Sequence, residues 1–275
     1  MGHNKPMTLI AILMGTLTAG IGSVWLAAAL SFGVLARYTQ HMLSLAAGAL
    51  MATAFMHLLP EAFESQAGAH DLFLTLLIGI VFFFLLDKAE LWHHGHEHHH
   101  SHEHHHEHNH ANDAPHQHAQ GSTRASGAWA VLTGDSVHCF GDGVLIASAF
   151  MADMRLGVIA SLAVLAHEVP HHMGDLMVLR AGSTNKRAAV LKVSLAGAVT
   201  ALGGLIGFWL VDQLHDYLPY FLVVASSSFI YVALADLIPQ LQKHLTARQT
   251  AAQVAWLVSG ILLVTLVSGV AHSGH

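Results

Sequence analysis

Residues 156–179 read LGVIASLAVLAHEVPHHMGDLMVL, an apolar run interrupted by His167, Glu168, His171, His172 and Asp175. Just before it, residues 128–151 read AWAVLTGDSVHCFGDGVLIASAFM, where the interruptions are Asp135, His138, Cys139 and Asp142. Each run is long enough to cross a bilayer as a helix, which takes about 20 residues at 1.5 Å apiece. An ionisable group in hydrocarbon is expensive, so it points to function before packing. Two neighbouring runs that carry metal-ligand residue types at helical spacing therefore decide how the rest of the chain is read.

At about 100° per residue, Asp135, His138 and Asp142 share one helix face, with Cys139 beside them. His167 and His171 are one turn apart and can point the same way, while Glu168, His172 and Asp175 occupy the adjoining stripe. Folding the pair of runs at Asp153 and Met154 brings His138 level with position 169 and Asp142 level with position 165. The His138/Asp142 and His167/His171 pairs then meet near mid-membrane. Three imidazoles and a carboxylate suit a divalent first-row metal, and zinc accepts four such ligands in a tetrahedron. One histidine alone in an apolar helix is more often a hydrogen-bonded core residue; four facing groups favour a shared ion. Glu168 reads as a further ligand, a proton acceptor or a structural hydrogen-bonding group. Cys139 reads as a soft ligand or a small buried apolar residue. Asp135 and His172 are lesser ligand candidates, and Asp175 is a hydrogen-bond partner for a neighbouring helix. Pro170 removes a backbone donor and frees a carbonyl near Ala166, which predicts a kink. Gly141 and Gly143 flank Asp142 and would admit a neighbouring backbone.

The composition agrees with a membrane setting. Of 275 residues, 53% are hydrophobic and 10% charged, where soluble domains carry about a quarter charged residues. With 11 Lys+Arg and a formal net charge of -6, no basic patch for nucleic acid is visible. The single cysteine excludes an intrachain disulfide. Further apolar runs at 7–36, 42–60, 72–86, 188–211, 218–237 and 251–270 give an all-α membrane protein of eight transmembrane helices. The first run, with Ala27, Ala28 and Ala29 near its end, resembles a cleaved signal but is too long for one, so it is read as a retained helix. His57-Leu58-Leu59-Pro60-Glu61 and Asp236-Leu237-Ile238-Pro239-Gln240 close the second and the second-to-last run. Their likeness hints at an inverted repeat around the middle pair. His57, Glu61 and Asp236 either line a path to water or cap helices.

Over half of the 26 histidines fall within residues 93–118. Such a segment builds no core and reads as a solvated, disordered loop that chelates metal weakly. The chain is thus divided into helices 1–3 (1–92), the histidine-rich loop (93–126) and helices 4–8 (127–275). With both termini on one side, one set of loops holds Arg37, Lys88, Arg124, Arg180, Lys186, Arg187, Lys192, Lys243 and Arg248, and the other only Lys5 and Arg155. The positive-inside rule then puts both termini outside and the histidine loop in the cytoplasm.

The two central motifs together resemble those of the ZIP (Zrt-/Irt-like protein) family of metal transporters. Its fourth-span pattern His-Asn-x-x-Asp/Glu-Gly stands here as His138-Cys139-Phe140-Gly141-Asp142-Gly143. Its fifth-span pattern His-Glu-x-Pro-His-Glu stands as His167-Glu168-Val169-Pro170-His171-His172, most similar to the LIV-1 subfamily. The resemblance covers essentially the whole chain. It implies inverted three-helix repeats (1–3 and 6–8) around the central pair (4–5). It further implies a transport site of His138, Asp142, His167 and His171 with Glu168 adjacent, and metal movement into the cytoplasm. The chain departs from the pattern at Cys139 and His172, and it has Thr200 where some bacterial members carry a bridging glutamate. One high-affinity ion, with selectivity altered by Cys139 and His172, is therefore expected.

These readings converge on a transporter, not an enzyme, with Zn²⁺ as its substrate and Fe²⁺, Mn²⁺ or Cd²⁺ as alternatives. Its partners are the divalent ion and the lipid bilayer, with a homodimer left open and no nucleic acid. The compact chain suits a bacterial inner (plasma) membrane. The competing readings are an intramembrane metal-dependent hydrolase, with Glu168 as general base in the same cage, and a metal exporter. The first predicts a lipid-accessible cleft, and the second is disfavoured by the lack of a soluble domain.

Overall fold

Where no water reaches the backbone, every peptide group must find its partner within its own segment, and a helix does this. The computed structural model describes residues 5–31, 39–95, 121–182, 185–241 and 246–272, and among these it contains helices and turns only. Helix α1 (Lys5–Leu17) runs through a π-helical turn, Thr18–Gly22, into α2 (Ser23–Ser31). Helix α3 (Thr39–Thr53) likewise runs through Ala54–Leu58 into α4 (Leu59–Phe63). There follow α5 (Ala69–Gly95), α6 (Gly121–Ala152), α7 (Met154–Gly182), α8 (Lys186–Gln213), α9 (Leu218–Leu241) and α10 (Ala247–His272). Taken as continuous rods, these are eight long helices. Most extend beyond the apolar runs that announced them. The ends of α5 and α6 also reach into the segment 93–126 that was read as loop; residues 96–120 lie outside the described residues.

Six of the rods are long and apolar enough to cross a membrane: Lys5–Leu30, His41–Phe63, Ala69–Leu86, Arg187–Gln213, His215–Ala235 and Ala247–Ser268. Helices α6 and α7 are not among them, because their Asp, His and Glu residues dilute the apolar windows. The outermost rods show which solvent the fold expects. Only 11% of the apolar window of α5 is buried, and Phe73, Leu77, Ile78 and Phe82 face outward. Leu262, Leu263 and Leu266 of α10 do the same. A continuous apolar surface of this extent is an aggregation hazard in water and the normal exterior of a protein in lipid.

Packing sorts the rods into two groups. In one, α1/α2, α6, α7 and α8 lie against one another; in the other, α3/α4, α5, α9 and α10 do. The first group has its own buried core, built from Val24, Val169, Met173 and Val193 among others. The two groups share an extensive core, in which Ile12, Ile146 and Leu156 pack with Leu50, Val223 and Phe229, and Ala49, Ala52, Ile159 and Val264 join them again where α3, α7 and α10 meet. Beside that junction, an apolar cavity of about 410 Å³ opens between the groups, lined by Leu26, Met42, Leu162 and Val264 among others.

The tightest pairing is α6 with α8, and glycine makes it possible. A Cβ on Gly143 would run into the Thr200 carbonyl oxygen, and one on Gly203 into that of Phe140. Small residues let membrane helices approach backbone to backbone in this way. Gly141 has nothing within 4 Å of its Cβ position, so of the two glycines flanking Asp142 only Gly143 serves close approach, and its neighbour is α8.

Local caps set the connections. Asp153 separates α6 from α7, and its Oδ1 accepts from the backbone of Arg155 at 2.8 Å and Leu156 at 3.1 Å. Asn185 caps α8, its Oδ1 accepting from Arg187 N at 3.1 Å and Ala188 N at 3.2 Å. Replacing an N-cap asparagine by alanine costs about 1 kcal/mol. Asn185→Ala should accordingly lower the melting temperature of the purified protein slightly. An unchanged melting temperature would show that the first turn of α8 is held by other means.

Candidate metal centre

The turn at Asp153 lays α6 antiparallel to α7, and the polar residues of each end up facing the other. On α6 they recur at Asp135, His138, Cys139 and Asp142, one stripe along the helix. On α7 the stripe is His167, Glu168, His171, His172 and Asp175. The α-helix continues on both sides of Pro170. Asp135, Asp142, His167, Glu168 and His172 are buried, although no hydrocarbon side chain would need them there.

Four ligand atoms come together at the centre of the hairpin. His138 Nε2 lies 3.2 Å from His167 Nε2, 3.2 Å from Glu168 Oε1 and 3.8 Å from Asp142 Oδ2. His167 Nε2 lies 3.3 Å from Asp142 Oδ2 and 3.3 Å from Glu168 Oε1. Ligand atoms at zinc bond lengths around a tetrahedral centre sit about 3.3–3.5 Å from one another. Four of the five distances lie within about 0.1 Å of that spacing, and the fifth, His138 to Asp142 at 3.8 Å, is longer. Asp142 Oδ2 and Glu168 Oε1 make no hydrogen bond and are shielded from solvent, which is costly for a carboxylate oxygen unless a cation faces it.

The structure brings together three of the four residues expected to share an ion, His138, Asp142 and His167, and places Glu168 as their fourth. His171 lies beside this group. Its ring stacks on that of His138, with centroids 5.4 Å apart and planes at 21°. Its Nε2 faces Asp135 Oδ1 at 3.8 Å and Asp175 Oδ2 at 3.9 Å, and the side chain is 47% exposed. Cys139 and His172 lie on the other side of Glu168, near Asp135. Thr200 of α8 is buried. Among the described residues, three groups of side chains are spaced for a cation: His138, Asp142, His167 and Glu168; Asp135, Cys139, Glu168 and His172; and Asp135, His171 and Asp175. His57, in the π-helical turn of the second rod, and Glu61, exposed on α4, join none of them. The side chains of Asp236 and of the histidines within 93–118 lie outside the described residues.

One contact comes from a residue that sequence reasoning passed over. Ser23, at the start of α2, places its Oγ 2.9 Å from His172 Nδ1. The two are far apart in sequence, and a serine in a membrane helix carries no signal of its own. The approach of the first rod to α8 offers one retrospective clue, Gly20 in the π-helical turn, whose Cβ would meet the Gly197 carbonyl oxygen.

The chain matches the family described as ZIP zinc transporter over residues 88–268, about two thirds of its length. It is similar to zinc transporter ZIP13 of Pongo abelii, 28% identical across 95% of this chain and 79% of that protein. Zinc transporter ZIP4 of Rattus norvegicus is 30% identical across 73% of this chain, which spans only 38% of that larger protein. Zinc transporter ZIP10 of Homo sapiens is 38% identical across 42% of this chain and 14% of its own length. Two paired helices with inward-facing metal-ligand side chains, and a family match that includes both, lead to one conclusion: the chain belongs to the ZIP zinc transporter family.

Proposed function

We propose that the protein carries Zn²⁺ through the membrane into the cytoplasm by way of the cage formed by His138, Asp142, His167 and Glu168. The carrying observation is the near-tetrahedral spacing of their four ligand atoms, 3.2–3.8 Å along five edges. Family membership makes the protein a transporter and not a hydrolase, and it makes zinc the leading substrate. Fe²⁺, Mn²⁺ and Cd²⁺ fit the same nitrogen and oxygen donors. His171, half exposed next to His138, is the residue through which an ion would enter or leave the cage.

All eight rods span the bilayer in this reading, with the polar stripes of α6 and α7 turned toward each other and Val158, Leu162 and Met177 of α7 left on the exterior. The first, second and third rods correspond to α8, α9 and α10 as inverted repeats around the central pair. The excess of Lys and Arg in one set of loops supports a reading with both termini outside, and the compact chain is the ground for reading the membrane as of the bacterial inner type. The ion loses water on the outer side and binds the cage. One helix group then moves as a body against the other, along the boundary where the apolar cavity lies. A homodimer is compatible with the exposed faces of α5 and α10.

Direction is testable in proteoliposomes whose insertion is fixed by protease access to the N-terminus. With termini outward, Zn²⁺ added outside should accumulate in the lumen. Accumulation only in vesicles of the reverse orientation would overturn the assigned direction.

A further inference from the structure

The apolar cavity between the two helix groups is no part of the metal centre. Its walls come from four rods, with Leu26 of α2, Met42 and Ala49 of α3, Leu162 and Val169 of α7 and Val264 of α10 among them. Every lining side chain is that of Ala, Val, Leu, Ile or Met. We propose that this cavity seats one acyl chain of a bilayer phospholipid, inserted between the helix groups with its headgroup left at the membrane surface.

The lining decides the class of occupant. A buried water molecule needs about two to four polar partners, and these walls have no polar side chain to offer. An apolar cavity of about 150 Å³ already stays dry and takes up benzene. At about 410 Å³ this one is larger. Left empty, it would forfeit dispersion contacts along all its walls. Its occupant is a hydrocarbon.

Position decides which hydrocarbon. Leu26, Leu162 and Leu263 line the cavity and are also exposed on the exterior. Ala49, Ile159, Ala163 and Val264 form its buried interior. The cavity is therefore continuous with the apolar surface that meets lipid, and the bilayer is the solvent at its mouth. Along α7 it runs from Ile159 to Val169, about 15 Å at 1.5 Å per residue. That is about the depth of one leaflet, half of a hydrocarbon core about 30 Å thick. A chain rooted at a headgroup fills a slot of this length, which a compact apolar molecule would leave partly empty.

The slot and the cage occupy opposite sides of α7. At about 100° per residue, Ile159, Leu162, Ala166 and Val169 share one face of the helix, and Glu168, His171 and Asp175 lie across from them. None of the lining residues is a ligand candidate, so a seated lipid meets no group able to react with it. It lies against α7 directly behind the ligand stripe, Val169 being the neighbour of Glu168. Neither the cage nor the direction of transport enters into this assignment.

The test uses the purified full chain in nanodiscs doped with a phosphatidylethanolamine that carries a diazirine near the end of one acyl chain. Irradiation followed by peptide mass spectrometry locates the attached lipid. Lipid surrounding the protein will label exposed residues such as Leu77 and Ile78 of α5, which serve as the internal standard. A seated chain will in addition label Ile159, Ala163 and Val264, which are buried and out of reach of the surrounding lipid. Ala166→Phe, checked for intact helicity by circular dichroism, brings a ring into the slot from α7. It should lose the interior label and keep the label on α5. Leu162→Trp narrows the mouth instead and should have the same effect, which keeps the test open if Ala166→Phe does not fold. Label on α5 with none on Ile159, Ala163 or Val264 in the wild type overturns the seat. So does an interior label that is undiminished in the folded variants. A free fatty acid with the same diazirine, added to unlabelled nanodiscs, separates the two sources of hydrocarbon. Interior label from the fatty acid and none from the phospholipid overturns the assignment to a bilayer phospholipid.

Discussion

Replacing His138 and His167 together by alanine should reduce zinc uptake into proteoliposomes by about 100-fold or more. Losing a single outer hydrogen-bond partner of a metal ligand already costs about 10–100-fold in affinity or activity. The double variant removes both nitrogens of a four-atom cage and leaves Asp142 and Glu168 facing each other, two carboxylates with nothing between them. The fold should survive, because α6 and α7 are held by their apolar sides and by the cap at Asp153, not by these rings. Initial rates of ⁶⁵Zn entry, normalised to inserted protein, provide the measurement. Wild-type rates in the double variant would remove the cage from the transport path, however well its geometry suits the ion.

A substitution with no metal ligand in it should be almost as damaging. In Gly143→Val the new Cβ would meet the Thr200 carbonyl oxygen and lie 2.7 Å from Gly204 N. Both are backbone atoms of α8, so no side-chain rotation relieves the overlap and the helices must part. Overpacking costs about 1–3 kcal/mol when side chains can adjust, and more when the backbone must move. Parting α6 from α8 also shifts Asp142, the adjacent residue. Gly143→Val should therefore melt well below the wild type in detergent, or fail to accumulate folded, and should not transport. Gly141→Ala, with nothing within 4 Å of its Cβ, is the matched control and should be nearly neutral. A Gly143→Val protein with a wild-type melting temperature would show that α6 and α8 can separate at little cost.

The ligand-bearing pair of helices was legible in the sequence because ionisable side chains are too costly in hydrocarbon to persist there without a use. His138, Asp142 and His167 were legible as a group from the helical period and the position of the hairpin turn alone. The placement of His171 beside that group, with Glu168 within it, was not. The two lie on adjoining stripes of α7, about 60° apart around the axis at about 100° per residue, and which of them faces the group depends on how the helix is rotated about its axis. That rotation is set by packing against α6, α3 and α2, the last two remote from α7 in the chain. For the same reason the two helix groups could not be foreseen, and neither could the contact from Ser23. Eight rods were legible as apolar runs, yet α6 and α7 alone are too polar to qualify as spans, since the property that marks them as functional is the one that lowers their hydropathy. The histidine-rich composition near residues 93–126 suggested loop, but the backbone of α5 continues to Gly95 and that of α6 begins at Gly121.

The wide turn at Thr18–Gly22 holds one residue more per hydrogen-bonded ring than its flanks. That surplus fixes an angular offset for everything after it. Should the turn tighten to ordinary α pitch without shedding a residue, α2 would twist by about 100° and slide about 1.5 Å along the axis. The hydroxyl of Ser23 would swing away from the imidazole it serves, and Trp25 would leave the outer surface. The alignment of that edge of the molecule is thus stored in the number of residues per turn of its first rod.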